Sequence, residues 1–554
     1  MITPIWLTSV FIHAIAATSS AAAGDPKPAP KRCIAIVGTS DIHGAIEPQR
    51  HGSGAAQVEA GGLLVLSGYL EVLRQHYPDR LLLLDAGDLF QGTMPSNLSA
   101  GEAIIAAHNL LGYSASALGN HDFDFGALPD QADPLGVLKA RIAQAKFPFL
   151  STNLFDRSRQ ARIDWPNTTP SLLRTIGGVR VGIVGATTPE TAQLSHPHDI
   201  AGLEFQPPLV WVRAEAQRLR QAGAELVVLS AHLGGHCTQL AKPRDLSSCS
   251  QSGSKAELLQ LLQALPTGTI DVAIGGHSHH LVAHWINGTA TLQSGARGEY
   301  FGWVDACVGP GGGIDPLSST LHGAVPICLS TWSDQTCRGS HAETAVTPAH
   351  FLGQPVQPMA SLVTTMQPYL DSVAALAAQP LAVELPAAGL AQRVLVGLAA
   401  EAMRRTAGAD FGIETGGGVR TSLPAGSLRY AHIFQALPFD NRIVRVPLRG
   451  QQITALLSLL NANLSSGWGG PVTAGLRLTN TAGRPSVTTA KGSPLQPDRL
   501  YTLAMTDYLF FGGDGAASVL GNVALDSVTV FEGEVRRAFI ALLTELYPLA
   551  NGGA

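Results

Sequence analysis

Along the first half of the chain, short runs of consecutive apolar residues alternate with longer amphipathic stretches. Ile34–Val37, Leu81–Leu84, Val181–Val184, Leu226–Leu229 and Val272–Ile274 are apolar at successive positions, the pattern of strands buried on both faces. Between them, Leu63 to His76 and Pro208 to Ala222 read as helices. Each apolar run is followed within a few residues by His, Asp, Asn or Gly, which is how an α/β sheet presents functional residues at the carboxyl ends of its strands. From about 309 to 354 the pattern decays into Gly, Pro, Ser and Thr with two cysteines, predicting a loop-rich domain end or insertion. Residues 355–379 read as a mostly helical connector despite Pro358 and Pro368, and a second α/β region with a helix over Leu390–Thr406 fills 380–554. No internal repeat of fixed period is visible.

A chain of 554 residues is too long for one ordinary core, so two domains are expected. With 45% hydrophobic and 14% charged residues, the composition is that of a globular protein. The net charge of −5, without any Lys/Arg run, argues against a nucleic-acid groove or an anionic membrane surface as partner. A compact anionic substrate stays open, because a bound metal can outweigh the overall balance. The apolar stretch Ile5 to Ala17, followed by the small residues Ala16 to Gly24, predicts a signal peptide over 1–23 even though its start lacks Lys and Arg. A polar, Pro-rich tail over 24–32 follows. No later stretch reaches the roughly 20 apolar residues of a membrane span, and Tyr547 to Ala554 carries no hydrophobic tail for a lipid anchor. The expectation is a periplasmic or secreted protein without a membrane anchor.

Six cysteines, even in number and without a CxxC pair, fit disulfides in an exported chain better than a zinc cluster. Cys237–Cys249 and Cys328–Cys337 are attractive local closures that leave Cys33 with Cys307, although six cysteines allow fifteen pairings.

Five polar signals follow the apolar runs in order: Asp41-Ile42-His43, Gly87-Asp88, Gly119-Asn120-His121-Asp122, His232, and Gly276-His277-Ser278-His279. An aspartate and a histidine two apart on a turn after a strand can aim both side chains at one ion. A carboxylate such as Asp88 has two oxygens and can bridge two cations. The Asn120 carbonyl ligates without adding charge, and histidines complete a mixed N/O shell suited to zinc, manganese, iron or cobalt. Each signal alone is weak, since a lone Gly-Asp is usually a turn. All five in this order, each just past a buried strand, are hard to reach by chance.

These motifs resemble those of the calcineurin-like metallophosphoesterase superfamily. The forms TSDIHG, LLDAGDLFQGT, LGNHDFDFG, LSAHLG and IGGHSHH look like its bacterial and animal 5′-nucleotidase branch. The resemblance implies a four-layer αββα metallophosphoesterase domain over 33–354 and a second α/β, substrate-binding 5′-nucleotidase C-terminal domain. It implies two divalent metal ions, one held by Asp41, His43, Asp88 and His279, the other by Asp88, Asn120, His232 and His277. It also implies that His121 stabilises the phosphoryl transition state or protonates the leaving group, with Asp124 orienting its imidazole. Two cations about 3.5–4 Å apart clamp the attacking and leaving oxygens of an in-line displacement and lower the pKa of a bound water, which would then attack as hydroxide.

The second half resembles the 5′-nucleotidase C-terminal domain at TGGGVR (415–420), LPFDNRIVRVPLRG (437–450), GWGGPVTAGLRL (467–478) and YTLAMTDYLFFGGDG (501–515). By that resemblance Phe439 and Tyr508 clamp a nucleobase, a contact worth roughly 1–3 kcal/mol, Asp514 binds ribose hydroxyls, and Arg420 pairs with a phosphate or carboxylate. Arg393, Arg404 and Arg405 on the preceding helix are further candidates. Thr415 stands where the motif has asparagine, and Ala391-Gln392-Arg393-Val394 replaces the usual Arg-Glu stretch. The leading expectation is an exported phosphohydrolase acting on nucleoside 5′-monophosphates, its substrate a small-molecule nucleotide. The altered motifs keep three alternatives open: a sulfur-linked sulfate hydrolase of the same architecture, a 2′,3′-cyclic nucleotide phosphodiesterase or nucleotide-sugar hydrolase, and a non-catalytic nucleotide receptor.

Overall fold

The protein, seen as a computed structural model, is described over residues 32–53, 56–338, 345–464, 470–481 and 484–549. The expected signal peptide, all but the last residue of the expected tail, and the loop around Trp468 lie outside them.

Two sheets stack face to face in the first domain. The first orders its strands Thr320–Pro326, Tyr300–Cys307, Cys33–Thr39, Leu81–Asp85, Ala115–Ala117, Phe149–Leu150 and Thr168–Thr169, parallel from Cys33–Thr39 onward. The second orders Ser171–Ile176, Val179–Thr187, Leu226–His232, Val272–Gly275, Thr289–Ser294 and Leu281–Ile286, with its middle four parallel. The period-2 alternation of a strand divides Cys33–Thr39 between two cores. Ile34 and Ile36 pack with Leu82, Val181, Val228 and Ile274 between the sheets, while Ala35 and Val37 join the cluster under the helix Gly62–His76. The helices Leu209–Gln221 and Glu257–Ala264 cover the second sheet through Val212, Leu219, Leu258 and Leu262. Helix, sheet, sheet and helix make the expected four layers.

The 309–354 stretch is less irregular than its composition predicts. Thr320–Pro326 forms the antiparallel edge of the first sheet, and two short hairpins follow. Gly323 and Pro326 interrupt the apolar pattern of that strand, and an edge position tolerates both, which hides it from hydrophobic periodicity. The three disulfides are Cys33–Cys307, Cys237–Cys249 and Cys328–Cys337; Cys33 and Cys307 are register partners on neighbouring strands.

The connector is the helix Ala360–Ala378, which continues through Pro368. Leu362 and Met366 pack into the first domain's core, while Val373 meets Met94 and Phe434, one from each domain. The second domain is built on a five-stranded sheet, ordered Val472–Ala474, Phe411–Glu414, Leu500–Thr506, Arg442–Arg449 and Thr529–Glu534. The helix Gly450–Leu464 covers it through Ile453, Leu456 and Leu460, and the helices Gln392–Thr406 and Val535–Leu546 pack together on the rest.

Candidate metal centre and substrate cavity

All seven expected ligands stand at or just beyond the carboxyl ends of parallel strands. Asp41 and His43 follow Cys33–Thr39, Asp88 follows Leu81–Asp85, Asn120 follows Ala115–Ala117, His232 ends Leu226–His232, and His277 and His279 follow Val272–Gly275. The face-to-face sheets bring these ends to one place. Asp41, His43, Asp88, His277 and His279 each hold a φ between 48° and 76°, the left-handed region that non-glycine residues seldom adopt. Such strain concentrated in one spot marks a site whose geometry is enforced by its surroundings.

The side chains fall into two groups sharing Asp88. In the first, His43 Nε2 lies 2.9 Å from His279 Nε2 and 3.6 Å from Asp88 Oδ2, and His279 Nε2 lies 3.6 Å from Asp41 Oδ1. In the second, Asn120 Oδ1 stands 3.0 Å from both His232 Nε2 and His277 Nδ1, with Asp88 Oδ2 3.2 Å from His232 Nε2.

The outer nitrogens of these histidines show what the groups can hold. His43 Nδ1 donates to the Gln91 carbonyl at 2.7 Å and His232 Nδ1 to the Ala86 carbonyl at 2.9 Å. A neutral imidazole that donates at Nδ1 presents a lone pair at Nε2. His277 is turned the other way, with Nε2 3.0 Å from Glu190 Oε2 and Nδ1 inward. The inward atoms are thus imidazole lone pairs, an amide oxygen and carboxylate oxygens, and Asp41 Oδ2 and Asp88 Oδ2 are buried without a hydrogen-bond donor. Acceptors converging on acceptors need cations between them, so the residues present fit two divalent ions. The carboxylates also draw positive charge into the cage: burial opposes a charge on His232, yet Asp88, Asp41 and the Ala86 carbonyl together carry its pKa up to about 10, so a proton occupies its Nε2 until a bound cation displaces it. Burial also pushes Asp41 up to about 7.

His121 follows Asn120 on the same 3-10 turn, and its backbone N–H donates to Asp88 Oδ1 at 2.8 Å. Its Nδ1 donates to Asp124 Oδ2 at 2.6 Å. Asp122 accepts from the backbone N–H groups of Asp88, Leu89 and Gly119, tying two ligand loops together. Asp85 likewise accepts from Thr39 and from Gly87 N–H.

A cavity of about 240 Å³ opens over the cage, and both domains line it. Asp88, Asn120, His121, His277 and His279 meet Arg420, Phe439, Tyr508 and Asp514 there, so all four expected substrate residues face the candidate metal centre. The domains are held in this arrangement by Asn97 Nδ2 donating to the Pro438 carbonyl, Arg297 to the Arg420 carbonyl, and Tyr508 Oη to the Gln193 carbonyl. The two aromatic rings already have neighbours. The Phe439 ring is tilted against His121 at 5.7 Å with Arg420 over it at 5.9 Å, and Tyr508 Oη is bonded to Asp514 while Gly513 packs on its ring. The other arginine candidates lie elsewhere. Arg404 and Arg405 pair with Glu401, and Arg393 donates to the Gly470 carbonyl, because these side chains point away from the cavity on the helix Gln392–Thr406.

Gln91, Glu190, Arg297 and Glu414 bear on the site without having been singled out in the sequence. Gln91 and Glu190 follow strand ends as the ligands do, a positional signal that could have found them. Glu414 ends the strand Phe411–Glu414 and carries the same sign, whereas Arg297 gives none, since its role depends on how the two domains meet.

The calcineurin-like phosphoesterase model matches residues 34–281, and the fold and acceptor cage agree with it: the protein is a metal-dependent phosphomonoesterase by class. The 5′-nucleotidase C-terminal domain model matches residues 377–521, so the chain joins a calcineurin-like phosphoesterase domain to a 5′-nucleotidase C-terminal domain. It is 27% identical to Protein UshA of Yersinia enterocolitica over 513 residues, covering 87% of this chain and 86% of that one. It is 23% identical to the 5′-nucleotidase of Vibrio cholerae over 545 residues, covering 92% and 90%. The solved 5′-nucleotidase precursor from Thermus thermophilus superposes with a TM-score of 0.74 at 24% identity, covering 94% of this chain and 98% of that one, and shares its fold.

Proposed function

We propose that the protein is an exported hydrolase that releases phosphate from nucleoside 5′-monophosphates, using two divalent ions held by Asp41, His43, Asp88 and His279 and by Asp88, Asn120, His232 and His277. The observation that carries this reading is the single cavity in which that cage faces Arg420, Phe439, Tyr508 and Asp514. Relatives that match over most of their length are named 5′-nucleotidase. Three disulfides favour an oxidising compartment, in line with the expected signal peptide.

Bound at the cage, two divalent cations supply Lewis acidity for attack by water on phosphorus and offset the charge of the transition state. The chain's own residues do the rest. Arg420 keeps its charge, since burial and Arg297 lower its pKa only to about 10, and it binds the phosphate beside the cage. His121 acts in its imidazolium form: Nδ1 stays hydrogen-bonded to Asp124, and the Nε2 proton passes to the leaving 5′ oxygen. Phe439 and Tyr508 flank the base, and Asp514 accepts from the ribose hydroxyls. The test is turnover of a panel by chelated protein reloaded with Mn²⁺ or Zn²⁺, read as phosphate released from AMP, ring-opened nucleoside monophosphate from a 2′,3′-cyclic nucleotide, glucose 1-phosphate from UDP-glucose and sulfate from thiosulfate. AMP turned over best supports the reading; turnover of thiosulfate alone, or of none, sinks it.

A further inference from the structure

Two chemically different sets of groups line the cavity. Arg420 stands at the cage, where its charge acts on Asp88, Asp124 and Asp41. Beside Asp514, which the reading above assigns to the ribose, Thr415 links two carboxyl groups: its backbone N–H donates to Glu414 Oε1 at 2.8 Å, and its side chain is hydrogen-bonded to Asp514. Glu414 is 4% exposed yet lines the cavity. Room for its carboxyl exists because residue 418 is glycine; a Cβ there would come within 2.6 Å of Glu414 Oε1. Burial, with Asp514 adding to it against the Thr415 N–H, pushes Glu414 up to about 8. At neutral pH it is therefore mostly protonated and can both donate and accept.

We propose that Glu414 is a specificity-determining residue for the nucleoside end of the substrate, selecting an uncharged, hydroxyl-bearing sugar and base and rejecting a second phosphate at that end. The proposal rests on the nucleotide reading above. A ribose hydroxyl or base edge exchanges hydrogen bonds with a neutral carboxyl, whereas a phosphate placed there brings its charge against the Asp514 carboxyl and into the buried surroundings of Glu414. Among the described residues lining the cavity Arg420 is the one Lys or Arg, and the Asp440 and Asp507 carboxyls there are already paired with Arg536 and Arg442. A buried polar group left facing the wrong partner discriminates more strongly than a missing apolar contact does.

Glu414→Gln is isosteric and keeps the acceptor for the Thr415 N–H. Gly418→Ala perturbs the same carboxyl without touching its chemistry. Both are to be assayed with AMP, adenosine 3′,5′-bisphosphate and p-nitrophenyl phosphate, which has no nucleoside. The unaltered protein should prefer AMP over the bisphosphate by at least about tenfold in kcat/KM. Each variant should lose roughly tenfold more kcat/KM on AMP than on p-nitrophenyl phosphate, chiefly through KM, and Glu414→Gln should narrow the preference against the bisphosphate above about pH 8, where the native carboxyl ionises. Equal losses on AMP and p-nitrophenyl phosphate, or none on AMP, would overturn the proposal. Failure of the unaltered protein to hydrolyse any nucleotide would instead overturn the reading on which it rests.

Discussion

His121 Nδ1 and Asp124 Oδ2 lie 2.6 Å apart, three residues from each other on the turn that also carries Asn120. One short segment thus supplies a candidate ligand, a proton donor and the group that fixes the donor's tautomer. His121→Ala should lower kcat by at least about 10²-fold while two metals remain bound. Asp124→Asn should fall between that variant and the unaltered protein, because it disturbs the imidazole's orientation without removing it. Steady-state kinetics with metal analysis on the same samples separates these outcomes; unchanged kcat in His121→Ala removes it from the mechanism.

Glu190 holds the outer nitrogen of His277 as Gln91 and Ala86 hold those of His43 and His232. The Glu190 backbone N–H donates to Thr188 Oγ1, and that hydroxyl in turn donates to Glu257. Glu190→Gln should weaken the affinity of the His277 site by about 10–100-fold, the usual scale for a carboxylate behind a ligating histidine. Competition titration against a chromogenic chelator measures this directly. Unaltered affinity at both sites would show that Glu190 merely neighbours the cage.

Arg420 reaches the cage from the second domain, and the Arg297 side chain holds its backbone carbonyl. Arg420→Ala should raise KM for AMP by at least tenfold, corresponding to about 1.4 kcal/mol of binding. Arg420→Lys should recover part of it, since a lysine restores the charge but not the planar fork. A KM unchanged by Arg420→Ala would place the phosphate elsewhere.

Most of this arrangement was legible in the sequence, for a physical reason. Buried parallel strands read as continuous apolar runs, and ligands lie at their carboxyl ends, so Asp41, Asp88, Asn120, His232 and His277 announced themselves by position. What stayed hidden depends on contacts between segments far apart in the chain. Thr320–Pro326 is an edge strand with little apolar signature. Arg393, Arg404 and Arg405 looked equivalent to Arg420 by charge, yet they lie off the cavity and Arg420 lines it. Glu190 and Glu414 stand at or just past strand ends, but the partners that give them their roles, His277 and Asp514, are distant in sequence. No local pattern encodes such pairings.

Chelation should cost stability as well as activity. Asp41, His43, Asp88 and His232 are buried, and their acceptors repel one another when no cation separates them. At a metal concentration about 1,000-fold above Kd, loading should stabilise the fold by about 4 kcal/mol, read as a rise in Tm that falls away with metal concentration. A Tm indifferent to chelation and reloading would mean that the cage does not bind ions tightly.

The central claim is that a two-metal cage and a nucleoside pocket work on one substrate in one cavity. Its most direct test is phosphate release from AMP by fully chelated protein titrated with Mn²⁺ or Zn²⁺, with bound metal counted in parallel. Activity absent without metal and reaching its plateau at two ions per chain is the predicted result. A chain that binds two ions and releases no phosphate from AMP would contradict it.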